Sequence, residues 1–266
     1  MTEDDAIAWL SGLLEKRAGV HYHPMQRGFV RAQVKRRMRE LGLGGIEAYT
    51  RYLLDQGDRE WPALYDRIVI HDSRFFRHRP TFSLIEEVLT PRWRYASRPI
   101  RVWSVGCAQG EEPYSLAMAL YAPLKGRFCI FGSDISLACL KAAKAGLYPL
   151  RKLRDVPLAF RHYLSRAGPG LGRIAPEIRQ RVAFFCSNIL QMACIARGTM
   201  DLIICQNLLP YLPGARRAAV LEPLAARLRQ GGCLIPGRGH SLAPPGDVAD
   251  PLPGDPGLPE KPKKDA

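Results

Sequence analysis

Residues 101–120, RVWSVGCAQGEEPYSLAMAL, commit the middle of this chain to a strand, a glycine turn and a helix in that order. Val102, Trp103 and Val105 supply a short apolar strand. Gly106 and Gly110 open the turn, and Glu111, Glu112 and Pro113 lead into an apolar helix. Glycines at the end of a strand let a small charged molecule approach the backbone. Two carboxylates at the helix start argue against a phosphate, because they repel the anion that a helix N-terminus ordinarily attracts. A ligand carrying positive groups fits better. S-adenosylmethionine, with its sulfonium and amino group, is such a ligand.

The flanking pattern extends this unit into a domain. Apolar runs at 100–105, 128–133, 182–186, 202–205 and 233–235 alternate with helical stretches at 113–122, 137–145 and 215–229. Strands separated by helices predict an α/β fold with a doubly wound, mostly parallel sheet. Residues 1–70 read instead as a small all-α domain, with helices at 6–17, 26–41, 46–54 and 62–68 broken by Gly19, Gly42 and Gly44. Segment 167–177 predicts a loop or small hairpin. Residues 243–266 hold seven prolines and three glycines, too many for a core, and predict a disordered tail.

Composition narrows the setting. No uncharged apolar run reaches the roughly 18 residues of a membrane span, and the acidic residues 1–10 do not suit a signal peptide. Seven scattered cysteines without a C-x-x-C pair predict free thiols in a reducing cytoplasm. His21 and His23 have no cysteines nearby, so no metal site is expected. The net charge of +14 calls for an anionic partner, which nucleic acid, an anionic membrane or an acidic protein would satisfy. Within 26–41, Val30, Val34, Met38 and Leu41 share one face, and Arg27, Arg31, Lys35 and Arg39 form a basic stripe beside it. That stripe reads either as a solvated face or as a surface for an acidic partner.

Asp134 closes the run CIFGSDIS, 24 residues beyond Gly110. A carboxylate there accepts the ribose hydroxyls of an adenosine-type ligand or caps the next helix, and the two roles are compatible at a strand's carboxyl end. The run CQNLLPYL brings Asn207 and Tyr211 to the same crevice. Its Asn-to-Tyr spacing and single proline depart from the motif of nucleic-acid base methylases. HDSRFFR, residues 71–77, joins the two parts as a packed linker or as a cationic lid.

HDSRFFR, WSVGCAQGEEPYSLAM, SDISLACLKAAKAGLYP, NIL and CQNLLPYL occur in the order found in CheR-type chemotaxis receptor methyltransferases, which the chain resembles over about residues 8–242. The forms RFFRH, WSVGC and CQNLL look most like the type IV pilus, PilK-like branch. The resemblance implies a receptor-docking domain at 1–70, a linker at 71–99 and a class I, Rossmann-like S-adenosylmethionine domain at 100–242. It implies a cytoplasmic enzyme that forms methyl esters on glutamates of a chemoreceptor's helical domain, releases S-adenosylhomocysteine, takes no nucleic acid as partner and does not insert directly into a membrane.

By position, the resemblance places His71, Ser73, Arg77, Gly106, Glu112, Asp134, Asn188, Ile189, Gln206 and Asn207 around the cofactor. Glu112 would hold the amino group and Asp134 the ribose. Arg77 and Tyr211 would stand beside the transferred methyl, and Arg27, Arg31, Lys35 and Arg39 would dock the receptor. A small β-subdomain is expected at 163–184. His71 stands where many members have Asn, Gln206 where Arg is common, Pro210 where isoleucine precedes the tyrosine, and Pro236 interrupts a late strand. Because the proline-rich tail begins after Leu242, the sheet is expected to lack its closing antiparallel strand. A cofactor-binding module without transfer and a nucleic-acid methyltransferase are the competing readings.

Overall fold

The computed structural model describes residues 2–69, 73–206, 208–209, 212, 214–237 and 240–242. Helices α1 (Glu3–Ala18), α2 (Arg27–Leu41), α3 (Ile46–Asp55) and α4 (Gly57–Ile68) form the first layer. Thr2 and Asp5 start α1 as a reciprocal capping box, and Gly19 ends it in the left-handed conformation. The inner faces meet in one core that includes Leu10, Leu14, Val30, Val34, Leu53 and Leu64. Buried Glu60 is tolerated there because Arg37 donates to both of its oxygens, at 2.9 and 2.7 Å, and the Tyr49 hydroxyl donates a third bond.

The linker rises through α5 (Arg79–Leu84), a π-helical turn at Ile85–Leu89 and α6 (Thr90–Trp93). Then come β1 (Ile100–Val105), α7 (Glu111–Tyr121), β2 (Phe128–Asp134), α8 (Leu137–Ala145), β3 (Leu147–Pro149), α9 (Leu150–Leu153), β4 (Leu164–Arg166), β5 (Leu171–Ile174) and α10 (Pro176–Arg179). The chain continues with β6 (Val182–Cys186), β7 (Met200–Ile204), α11 (Gly214–Ala225), β8 (Leu228–Gly237) and β9 (His240–Leu242). The main sheet has the order β6-β2-β1-β7-β8-β9, with its first five strands parallel. The chain runs outward from β1 to β2 and β6 on one side, then crosses back to β7 and β8 on the other side of β1, so the strand order reverses between β1 and β7. The crevice at the carboxyl ends of these central strands is where ligands bind in such sheets.

The structure corrects two expectations. The sheet does not lack its last strand, because β9 pairs antiparallel with β8 through Leu234↔Leu242 and Gly237↔His240. Pro236 lies just past the Ile204↔Ile235 pairing, in the irregular stretch of register, so its missing N–H removes no bond to β7. The small β-sheet has β4 and β5 within the expected 163–184 but begins earlier, taking β3 from 147–149 in the order β3-β5-β4, while residues 182–186 form an edge of the main sheet.

Gly110 shows how tightly the site is held from behind. At φ +92° it lies where a Cβ would come within 2.9 Å of Ala143 Cβ and 3.0 Å of the Phe184 ring. Gly110→Ala should therefore cost about 1–3 kcal/mol, through overpacking and left-handed strain together, read as a lower midpoint in urea.

Candidate functional site

The turn after β1 is pinned to the end of β2. Gly106 and Ala108 adopt positive φ, and the N–H groups of Gly106 and Cys107 donate to the Ser133 carbonyl at 2.8 and 2.9 Å. Ala108 N–H donates to Asp134 Oδ2 at 2.8 Å, and Ser136 N–H donates to Oδ1 at 2.9 Å. Ser136 caps α8, its Oγ accepting from Cys139 N–H at 3.1 Å. Asp134 is thus a buried brace between the β1 turn and the start of α8. A carboxylate has about four acceptor sites, so this bracing is compatible with ribose hydroxyls at the same group.

The two adjacent glutamates of α7 part ways. Glu111 is fully buried and pairs with Lys152 of α9, which also donates to Gln109 Oε1 at 3.0 Å. Glu112 is half-buried and accepts from Ser104 Oγ at 2.7 Å. Burial pushes its carboxyl up to about 7, against the opposing pull of the Ser104 hydroxyl and the Arg77 guanidinium.

Glu112 lines a cleft with Ser73, Arg77, Thr81, Gln206 and neighbouring residues of the linker and β7. The linker reaches this position because its two aromatics are anchored. Phe75 meets Tyr148 edge-on with ring centres 5.0 Å apart, and Phe76 stacks on Phe160 at 5.0 Å with 8° between planes. Phe76 adopts φ +51°, and its N–H donates to Ser115 Oγ at 3.0 Å. With both rings packed inward, Ser73 and Arg77 are left to wall the cleft, so the segment is a packed linker and a cleft wall at once. Gln206 donates to Thr81 Oγ1, tying the end of β7 to α5.

Ser73, Arg77, Glu112 and Gln206 thus come together, with Gly106 and Asp134 at the adjoining strand ends. Asn188 does not join them through its side chain. Its Nδ2 donates to the Arg17 carbonyl at 2.5 Å and its Oδ1 accepts from Leu190 N–H at 2.9 Å, so the amide stitches α1 to the loop after β6. It lines a separate wide groove with Lys16, Arg17 and Tyr65. Ile189 is buried in the core beside Val105 and Leu209. His71, Asn207, Pro210 and Tyr211 lie outside the described residues.

The basic stripe on α2 is less available than its spacing suggests. Arg31 pairs with Asp4 and, at 3.4 Å, with Glu3, while Lys35 pairs with Glu3 at 2.8 Å. These acids come from the first turn of α1, which no inspection of α2 alone can find. Arg27 and Arg39 remain exposed. Residues 1–69 carry eleven lysines and arginines against ten aspartates and glutamates; residues 70–242 carry twenty-five against ten. The positive excess therefore belongs to the α/β half.

Ser104 and Lys152 are the participants that spacing did not single out. Only Ser104 left a local trace, as a polar residue inside the apolar run VWSVG.

Residues 71–252 match the model of the CheR methyltransferase SAM-binding domain, and residues 5–69 match that of the CheR methyltransferase all-alpha domain. The chain belongs to the CheR methyltransferase family. It is 32% identical over 237 residues to chemotaxis protein methyltransferase 2 of Pseudomonas aeruginosa, covering 86% of this chain and 84% of that protein. Against the chemotaxis protein methyltransferase of Escherichia coli it is 31% identical over 242 residues, covering 88% and 83% respectively. A probable biofilm formation methyltransferase, WspC of Pseudomonas putida, is 31% identical over 239 residues, covering 86% of this chain and 56% of its own length.

S-adenosylmethionine is the cofactor of this family's domain, and the residues present fit it. One cleft holds an acid, Glu112, and a base, Arg77, matching the opposite charges of an amino-acid end. Burial opposes the ionisation of Glu112 more than Ser104 and Arg77 favour it, so a further cation beside it would favour the carboxylate.

Proposed function

We propose that this protein transfers a methyl group from S-adenosylmethionine to glutamate side chains on the cytoplasmic helical domain of a chemoreceptor-type protein, forming methyl esters. The observation that carries this reading is the Glu112–Arg77 cleft at the strand ends of a CheR-family chain. When bound, the cofactor supplies a methyl group already activated by its positively charged sulfur. A glutamate side chain, with a reference pKa of about 4.3, is ionised at neutral pH and needs no general base to attack. The protein's own residues are then left with orientation and exclusion of water.

Glu112 and Arg77 hold the two charged ends of the donor's amino acid, and Asp134 holds its ribose. Arg77 also faces the incoming carboxylate, and Tyr211 orients the reacting groups. The cationic surface of residues 70–242 draws in the acidic receptor helix, with the exposed Arg27 and Arg39 of α2 adding to it. The forms RFFRH, WSVGC and CQNLL support a receptor of a type IV pilus system as the substrate. Among the described residues no helix is long and apolar enough to cross a membrane.

Incubation with tritiated S-adenosylmethionine and receptor-containing membranes should give label that alkali releases as volatile methanol. Alkali-stable label on RNA or DNA would reject the reading. So would cofactor binding without any transfer, which would leave a binding module.

A further inference from the structure

We propose that Asp66, on α4 of the helical domain, is a positioning residue for the cofactor site. The proposal rests on the assignment of Asp134 to the cofactor's ribose. The first N–H groups of any helix lack partners within it. For α8, Ala138 N–H finds its acceptor on the other domain, at Asp66 Oδ1, 3.1 Å away. The same oxygen accepts from Ser136 Oγ at 2.7 Å.

Ser136 is fully buried, and its N–H donates to Asp134 Oδ1, whose partner oxygen Oδ2 holds Ala108 N–H. A continuous set of hydrogen bonds therefore runs from Asp66 through Ser136 and Asp134 to the turn after β1. The carboxylate also lies at the positive end of the α8 dipole, which favours it there. Asp66 is not among the residues lining the cleft, so it acts through Ser136 and Asp134. The helical domain thereby takes part in shaping the donor pocket, in addition to any contact it makes with the receptor.

Calorimetry with S-adenosylhomocysteine on the full chain tests this. Asp66→Ala should weaken binding about five- to tenfold, the loss expected when one or two hydrogen bonds that brace the site are removed. Asp66→Asn keeps an oxygen acceptor and should stay within about twofold. The KM for the donor should rise in Asp66→Ala while kcat at saturating donor stays within about twofold, a split that a loss of fold does not produce. The double variant Asp66→Ala/Ser136→Gly should bind no more weakly than Ser136→Gly alone, because both break one link.

Should Asp66→Ala fold poorly, Ser136→Gly makes the same test, since glycine is tolerated at an N-cap. An unchanged Kd in Asp66→Ala, whatever its melting temperature, overturns the proposal and leaves Asp66 as a packing contact. Equal losses in the alanine and asparagine variants overturn it as well. If the unsubstituted protein fails to bind the ligand, the donor-binding reading fails and the positioning role falls with it, whereas binding that is unchanged by Asp66→Ala overturns the positioning role alone.

Discussion

With Asp134 holding the ribose as proposed, Asp134→Ala should weaken S-adenosylhomocysteine binding by at least about a hundredfold, because two charge-assisted hydrogen bonds to ribose are each worth about 1.5–3 kcal/mol. The substitution also strands two amides. Ala108 and Ser136 N–H lose their acceptor inside a buried site, at about 1–3 kcal/mol each unless water enters. Ala108 is a non-glycine residue at φ +47°, a conformation that persists only while its surroundings enforce it. Freed from Asp134, the turn should relax and lose the shape that admits the donor. Asp134→Asn is no remedy, since its amide nitrogen would face either Ala108 N–H or Ser136 N–H, donor against donor. Calorimetry gives the affinity and chemical denaturation gives the stability. Undiminished affinity in the alanine variant would reject the placement of the ribose.

Why the α/β frame was legible, and parts of the site were not, is visible in particular residues. Strands 100–105 and 182–186 and helix 137–145 have the observed bounds, because each is a short apolar or periodic run closed by a glycine, a cap or a charge. β8 runs from Leu228 to Gly237, yet only 233–235 read as strand, since its first half, Leu-Arg-Gln-Gly-Gly, carries little apolar signal. β3 is three residues long and gains its identity only by pairing with β5 across a subdomain.

The site depends on contacts of still longer range. Glu111 and Glu112 are adjacent in the chain, and nothing local says which one faces the cleft. Lys152, 41 residues on, takes Glu111 into the interior and leaves Glu112 at the cleft. The α2 stripe was read from its own helix, whereas its counter-charges arrive from α1, 27 residues before Arg31. Asp66 reaches Ser136 across 70 residues and a domain boundary. Periodicity reports which face a residue occupies; it cannot report which remote charge meets it there.

The pH dependence of donor binding should separate Glu112 from every other group in the cleft. Burial pushes its carboxyl up to about 7 in the folded protein, from an ordinary value of about 4.5. Only the ionised form attracts the donor's amino group, and for a pKa near 7 about one-tenth is ionised at pH 6 and about nine-tenths at pH 8. The ligand's own α-amino group, with a reference pKa of about 7.7–8.0, loses its charge over the same range, so affinity should rise about five- to sixfold from pH 6 to a maximum near pH 7.4 and fall above it.

Stability of the unliganded protein should run the other way. Between the unfolded value and 7 the folded state binds more protons than the unfolded one, so stability falls as pH rises through that window and levels off above it. The thermal shift produced by S-adenosylhomocysteine should accordingly grow over the same window. Glu112→Gln retains an oxygen for Ser104 Oγ but removes the charge. At pH 8 it should bind about a hundredfold more weakly, as expected for losing one buried charge-assisted bond to an ammonium, and its affinity should lack the rise above pH 6. A rise that survives in Glu112→Gln would assign the titration to another group.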